Sequence, residues 1–269
     1  APARVPEPVA EVLERHGVPL ADASLYVQAV DAREPLVAHR ADTPRNPASV
    51  IKLLTTLGAL EVLGADYTWP TEVYAQGRLR DGRLEGDLVI KGYGDPYLTP
   101  ERFWRLLSAV RHAGVREVTG DLVLDQSHFA PNRQGRGDFD GRPHRVYNAL
   151  PAALTLGFQA TRLSLYPEAR GLRVVADPPS PRLRVENRMK LVDRPCSGRH
   201  HRPVLVIDDD GPGARVRLRG QYAAGCGERS YNRLVLDPEP HLAGAFTALW
   251  QALGGTLGGG WRVAEAGER

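Results

Sequence analysis

Asn46-Pro47-Ala48-Ser49-Val50-Ile51-Lys52-Leu53-Leu54-Thr55-Thr56-Leu57-Gly58-Ala59-Leu60-Glu61-Val62-Leu63-Gly64 is the stretch on which the reading of this chain turns. From Ser49 to Leu63 it is apolar on nearly every face, which predicts a buried helix rather than a surface one. Pro47 and Ser49 suit a helix start and Gly64 a helix stop. Ser49 and Lys52 stand at i and i+3, so hydroxyl and amine share one face and can meet. The helix start also offers backbone N–H groups and the positive dipole end to a developing oxyanion. A lone lysine in an apolar helix is desolvated, which favours the neutral, proton-accepting amine. A neutral amine beside a hydroxyl is the arrangement that nucleophilic acyl transfer requires. The other reading is a capping serine with a snorkelling lysine.

Two features of the whole chain sharpen that reading. Lys52, Lys91 and Lys190 are the only lysines; every other basic residue is arginine. A chain this poor in lysine, as from a GC-rich genome, keeps one inside an apolar helix for a chemical reason. Eight serines and three lysines in 269 residues also give only about 0.1 chance Ser-x-x-Lys occurrences.

Composition bounds the remaining possibilities. The chain is 42% hydrophobic and 25% charged, which excludes disordered and collagen-like classes. Its length fits one large domain or two to three small ones. No run of 18 or more apolar residues occurs, so no integral membrane span is expected. The net charge is +3 with basic residues dispersed, which argues against nucleic acid as a partner.

Outward from the helix, residues 6–17 read as a short amphipathic helix stopped by Gly17. Residues 23–30 and 35–39 read as two strands joined by a turn at Asp31-Ala-Arg-Glu. From residue 71 to about residue 125 the chain carries short β segments, with a hairpin tip at Asp81-Gly82. Gly86-Asp-Leu-Val-Ile and Gly120-Asp-Leu-Val-Leu form an echo 34 residues apart. Between them, residues 100–114 form an amphipathic helix with Phe103, Trp104, Leu107 and Val110 inward, so a small α/β subdomain is expected. Residues 131–144 read as a polar, glycine-rich loop. Five alternating segments starting at Leu163, Leu172, Leu183, Val204 and Val216 recur at sandwich-like spacing. Residues 240–253 return to helical spacing, and Gly254-Gly-Thr-Leu-Gly-Gly-Gly-Trp-Arg-Val reads as one further strand.

Cys196 and Cys226 are the only cysteines, each in a turn-like context. In an oxidising compartment they can bridge, for about 2–4 kcal/mol of stabilisation; two unpaired buried thiols are the other reading. No Cys/His spacing suits structural zinc. His200-His201 and Asp208-Asp-Asp210 read as solvated surface rather than a metal site, because neighbouring residues point in different directions. Asp125 and Asn148 either line a cleft or cap turns. Gly92-Tyr-Gly94 and Gly258-Gly-Gly260 lack the lysine and helix of a phosphate loop, and Gly-x-Ser-x-Gly is missing.

The helix segment resembles the nucleophile segment of penicillin-interacting serine D,D-peptidases. It is most similar to the class C low-molecular-mass penicillin-binding proteins, the D-alanyl-D-alanine carboxypeptidase/endopeptidase 4 family. Gly86-Asp-Leu-Val-Ile-Lys-Gly-Tyr-Gly-Asp-Pro-Tyr-Leu and Gly120-Asp-Leu-Val-Leu-Asp-Gln-Ser-His-Phe resemble two further blocks of that family. Tyr147-Asn-Ala-Leu-Pro-Ala-Ala-Leu and the late cysteine followed by Val235-Leu-Asp-Pro also fit.

The resemblance implies an α+β fold: a penicillin-binding-protein/β-lactamase-like transpeptidase domain, incomplete here, with a large, mostly β insertion that carries a small α/β subdomain. Residues 1–69 and 240–269 would then form the partial transpeptidase domain, 70–92 and 150–239 the β-rich insertion, and 93–149 the α/β subdomain. It further implies Ser49 as nucleophile and Lys52 as general base, with no metal or organic cofactor. The partners implied are peptidoglycan stem peptides and β-lactams. Export to the periplasm or cell envelope follows, the signal peptide having been removed, and homo-oligomers stay open.

The family completes its site with Ser-x-Asn and Lys-Thr-Gly motifs beyond the insertion. Neither stands in its expected setting. Ser230-Tyr-Asn232 matches the letters, but it lies between Cys226 and Asp237-Pro238 and reads as coincidence. The expectation is therefore a fragment or truncated relative with an incomplete site and feeble activity by itself, since one lost oxyanion donor costs roughly 10²–10³ in rate. Two rivals remain: a non-catalytic periplasmic wall-binding or scaffold module, and a β-lactamase-type hydrolase that uses Ser230-Tyr-Asn232.

Overall fold

The structure, a computed structural model, describes residues 5–197, 202–209 and 211–266. His200, His201 and Asp210 lie outside them. The chain divides into two compact units, Ala1–Tyr67 and Thr68–Arg269.

The smaller unit begins with α1 (Glu7–Arg15), which ends where Gly17 turns left-handed at φ +68°. Strands β1 (Leu25–Val27) and β2 (Val37–His39) pair antiparallel, Tyr26 opposite Ala38. A single 3₁₀ turn, Ala48–Val50, then runs into α2 (Ile51–Leu63), which Gly64 closes at φ +83°. The helix is where its sequence puts it, but its surroundings correct the expectation of a buried helix. None of its residues is buried, and Leu53 is 74%, Leu57 55% and Val62 82% exposed. A 13-residue helix that is apolar all round needs apolar cover on every side, and the 67 residues of this unit do not supply it.

The larger unit is built on a sheet whose central strand is β4 (Arg83–Gly92). The hairpin expected at Asp81-Gly82 pairs β3 (Thr71–Arg80) with β4 antiparallel, from Thr71 opposite Gly92 to Arg80 opposite Arg83. On its other side β4 meets two short strands in parallel: β5 (Glu117–Val118) at its start and β6 (Leu122–Asp125) at its end. Helix α3 (Pro100–His112) makes the crossover, with Thr99 Oγ1 capping the Arg102 N–H and Pro100 at the first position. Phe103, Leu107 and Val110 turn inward as expected, whereas Trp104 is 46% exposed. The sequence echo has a structural meaning: Leu88, Val89, Ile90 and Lys91 lie opposite Leu122, Val123, Leu124 and Asp125. The two copies are neighbouring strands of one βαβ unit.

Five strands follow in the order they were expected, joined by a sixth. Strands β7 (Thr161–Glu168) and β8 (Gly171–Asp177) form one three-stranded sheet with β12 (Arg229–Arg233). Strands β9 (Leu183–Val192), β10 (Val204–Asp209) and β11 (Ala214–Ala223) form another, with β11 central. Leu163, Leu165 and Leu172 from the first sheet share a core with Val216, Leu218 and Tyr222 from the second. Cys196 and Cys226 are joined by a disulfide that ties the segment after β9 to the turn before β12.

The C-terminal segment corrects the expected domain division. Helix α4 (Pro238–Ala252) packs Leu242, Phe246 and Trp250 into the core of the β4 sheet, beside Phe103 and Leu107 of α3. Strand β13 (Thr256–Leu257) extends β5, and β14 (Trp261–Val263) extends β6, both in parallel. Residues 240–266 thus belong with 70–125 in the larger unit, not with the α2 helix, and the hairpin 70–92 shares its sheet with the α/β segment. The chain must step from β13 to β14 past a matching break between β5 and β6, and Gly258-Gly259-Gly260 makes that step. A Cβ on Gly259 would stand 2.3 Å from Asp121 Oδ1 and 2.5 Å from the Gly120 carbonyl oxygen.

Inside α4, His241 is buried and its Nε2 has no partner among the described residues. Burial holds its pKa down to about 4, although a hydrogen bond with the Leu156 backbone pulls the other way. A depressed folded pKa means the unfolded chain takes up the proton first. The associated stability is present above about pH 6.5 and is lost as pH falls towards 4. Unfolding by urea should therefore need about 2 kcal/mol less free energy at pH 5 than at pH 7. His241→Leu should flatten that dependence; an unchanged slope would remove His241 as its source. Gly259→Ala should cost about 1–3 kcal/mol by forced overlap, read as a lower thermal midpoint.

Candidate active site

The residues expected to carry the chemistry sit where the smaller unit turns from coil into α2. Asn46 Oδ1 accepts from the Ala48 N–H at 2.9 Å, and the Pro47 carbonyl accepts from the Val50 N–H at 2.9 Å. These bonds wind the 3₁₀ turn that carries Ser49. They also engage two of the N–H groups expected to be available at the helix start. Ala48 is held left-handed at φ +44°, a conformation costing roughly 1–2 kcal/mol for a residue with a Cβ. Such strain concentrates where a neighbouring side chain is being aimed, and the neighbour here is Ser49.

Ser49 and Lys52 meet as the i, i+3 spacing implies: Lys52 Nζ donates to Ser49 Oγ at 2.9 Å. Both side chains are exposed, so the dry surroundings expected for the amine are not provided by this unit. The hydroxyl and the amine are positioned; their desolvation is not. Asn46 and Ala48 are the residues that sequence reasoning passed over. The signal available for Asn46 was its place two residues ahead of a prospective turn, whereas nothing in the sequence marks Ala48.

The other sequence candidates resolve into structure. The Asp125 carboxylate is buried beside Lys91 at 3.4 Å and accepts from the N–H groups of Ser127 and Ala266, both at 2.8 Å. Burial alone would raise its pKa; these bonds and the Lys91 charge hold it below the usual carboxylate range. Asn148 is buried and donates to Asp140 Oδ1 at 2.7 Å and the Arg142 carbonyl at 3.0 Å. Both residues organise loops. Ser230-Tyr231-Asn232 is regular β12 strand, paired with Ser164, Leu163 and Arg162. Gly92 is a close approach, since a Cβ there would stand 2.2 Å from the Ala153 carbonyl oxygen. Among the described residues no cluster of His, Cys, Asp and Glu could hold a metal ion, and no helix is long and apolar enough to cross a membrane.

A cleft of about 870 Å³ in the larger unit is lined by Gln126, Phe129, Arg136, Leu150, Asp237 and Glu239. Its polar groups already have partners: Arg136 reaches Asp209 at 2.9 Å and Asp237 at 3.4 Å, and Gln126 bonds the Leu154 backbone. It holds no nucleophile–base pair. Among the described residues the Ser49 hydroxyl is the serine hydroxyl that a lysine amine meets, at 2.9 Å from Lys52 Nζ.

Comparison with known proteins bears on the family and the fold. Residues 6–268 match the D-Ala-D-Ala carboxypeptidase 3 (S13) family. The D-alanyl-D-alanine carboxypeptidase of an Actinomadura species is 37% identical over 132 residues, covering 46% of this chain and 24% of that one. The D-alanyl-D-alanine carboxypeptidase DacB of Haemophilus influenzae is 31% identical over 109 residues, 40% of this chain and 23% of that one. The crystal structure of penicillin-binding protein 4 from Haemophilus influenzae superposes with a TM-score of 0.72 over 91% of this chain and 54% of that one, at 20% identity. A structure of the same protein complexed with a β-lactam gives 0.57 over 83% and 47%. The chain thus spans about half the length of the solved relative, whose α+β penicillin-binding-protein fold it shares. On a match that runs nearly from end to end, the chain belongs to the D-Ala-D-Ala carboxypeptidase 3 (S13) family.

Proposed function

We propose that this chain carries the acylation centre of a serine-type D-Ala-D-Ala carboxypeptidase/endopeptidase acting on peptidoglycan stem peptides. The observation that carries the reading is the 2.9 Å hydrogen bond from Lys52 Nζ to Ser49 Oγ, within a chain of the S13 family. Lys52 as the neutral amine takes the Ser49 proton while Oγ bonds to the penultimate D-Ala carbonyl carbon. The tetrahedral adduct collapses, the C–N bond to the terminal residue breaks, and the Lys52 proton passes to the leaving amine. Water then cleaves the ester and restores the hydroxyl. A β-lactam carbonyl undergoes the same attack. Because its leaving nitrogen stays tethered in the opened ring, the adduct persists.

Two further observations support the setting. The relative of the same fold was solved in complex with a β-lactam. The Cys196–Cys226 disulfide suits an oxidising compartment such as the periplasm or cell envelope. The reading also requires apolar cover over α2, because a general base must be uncharged and desolvation disfavours the charged form of an amine.

Fluorescent penicillin, applied to the product of the whole open reading frame that contains this chain, tests the proposal. Peptide mass spectrometry should place one adduct on the peptide carrying Ser49. Ser49→Ala should abolish labelling. Lys52→Ala should slow it by roughly 10²–10⁴-fold, and Lys52→Arg should fail to restore it because a guanidinium stays protonated. Labelling that survives Ser49→Ala would overturn the assignment, and no labelling at all would favour a wall-binding module without catalysis.

A further inference from the structure

The larger unit contains a cavity of about 660 Å³ lined by Arg145, Cys196, Ser197, Arg202, Arg229, Tyr231 and Arg233. Four of its seven lining residues are arginines and none is acidic. Strand periodicity sets three of the side chains on one face, because Arg229, Tyr231 and Arg233 alternate along β12. Arg145 comes from the turn after the polar loop, and His144 pairs with the Leu234 backbone through two hydrogen bonds beside β12. Arg202 enters from the segment ahead of β10. The disulfide forms part of the wall, and Arg229 Nη2 lies 3.6 Å from Cys196 Sγ.

These guanidiniums lack the partners that other arginines of the unit have. Arg136, Arg173, Arg188, Arg217 and Arg262 each meet a carboxylate. Among the described residues none of Arg145, Arg202, Arg229 and Arg233 does so; the bonds the last two make go to a disulfide sulfur and to the adjacent Asn232 carbonyl at 2.8 Å. Neither of those acceptors carries charge. Burial, and then the repulsion of Arg145, shift the Arg233 guanidinium below its ordinary pKa. Arg229, Arg202 and Arg233 all act electrostatically on Tyr231, so the charges converge on one space. Convergent like charge costs free energy that an anion would recover.

We propose that this cavity is an anion-binding site for a ligand bearing two or more phosphate charges. Guanidinium forks match pairs of phosphate oxygens, and four of them exceed what a single carboxylate can satisfy. The volume leaves room for more than one phosphoryl group, with the Tyr231 ring as an apolar wall. A free polyphosphate and the phosphodiester backbone of an envelope polymer present the same chemistry.

Isothermal titration of the 269-residue chain with inorganic pyrophosphate and, separately, with a synthetic glycerol-phosphate oligomer tests the site and its source. Pyrophosphate should bind more tightly than orthophosphate, and the affinity should fall as salt rises. Arg229→Gln and Arg202→Gln should each weaken binding about tenfold or more, the worth of one charge-assisted hydrogen bond. Arg202 lies outside every strand, so its variant keeps the test sharp if Arg229→Gln disturbs β12. Preference for the oligomer would assign the polymer as source, and preference for pyrophosphate the free ligand. Failure of both to bind, or binding unaltered in both variants, would overturn the proposal. Neither outcome bears on Ser49 labelling.

Discussion

Leu88, Val89 and Ile90 are almost fully inaccessible, and each lies opposite the equivalent residue of the second Gly-Asp-Leu-Val block. That parallel pairing organises the larger unit. Parallel strands need covered faces, so the crossover helix α3 and the later helix α4 must both settle on this sheet, and their side chains form a single core with it. The aspartates in second place of the two blocks lock the register. Asp87 accepts from the Asp121 N–H at 2.7 Å, and Arg262 reaches Asp87 at 2.7 Å and Asp121 at 3.5 Å. One repeated tetrapeptide therefore sets strand register, helix placement and the docking of the C-terminal strands.

The smaller unit obeys a different constraint. Its decisive element is a short helix with little polar surface, preceded by a tight turn that aims Ser49. Geometry and environment are separable here: the i, i+3 spacing and the Asn46 cap bring hydroxyl to amine, while the apolar side chains of α2 remain exposed. Local sequence determines which atoms meet. What surrounds them depends on distant residues, and the chemistry of an amine depends on its surroundings.

That separation explains what was legible in the sequence. Helix limits were readable at Gly17, Gly64 and Pro100 because glycine and proline act through backbone geometry alone. Strands β7 to β11 were readable because alternation is local. The burial of α2 was misjudged, since an apolar helix states its need for cover without naming its source. The fate of residues 240–266 was misjudged for a related reason. Two-residue strands such as β13 carry almost no pattern, and Gly258–Gly260 reads as a loop until Asp121 is seen pressed against it. At the site, Ser49 and Lys52 were visible through their spacing, whereas the left-handed Ala48 leaves no mark in composition. The arginine cavity was invisible because its members come from three separated segments, with only Arg229-x-Tyr231-x-Arg233 hinting at a shared face.

Among the described residues strand β12 has one sheet partner, β7, and no described strand covers its other edge. An open edge of this kind invites a strand from another molecule, the route to domain-swapped and fibrillar assemblies. Arg229 and Arg233 lie opposite Leu165 and Thr161 and so point to the core side of their sheet. A second copy aligned on that edge would bring its own guanidiniums against these and strand them in the new interface. The charges that make the cavity attractive to phosphate thereby act as gatekeepers, keeping this rim from templating self-association.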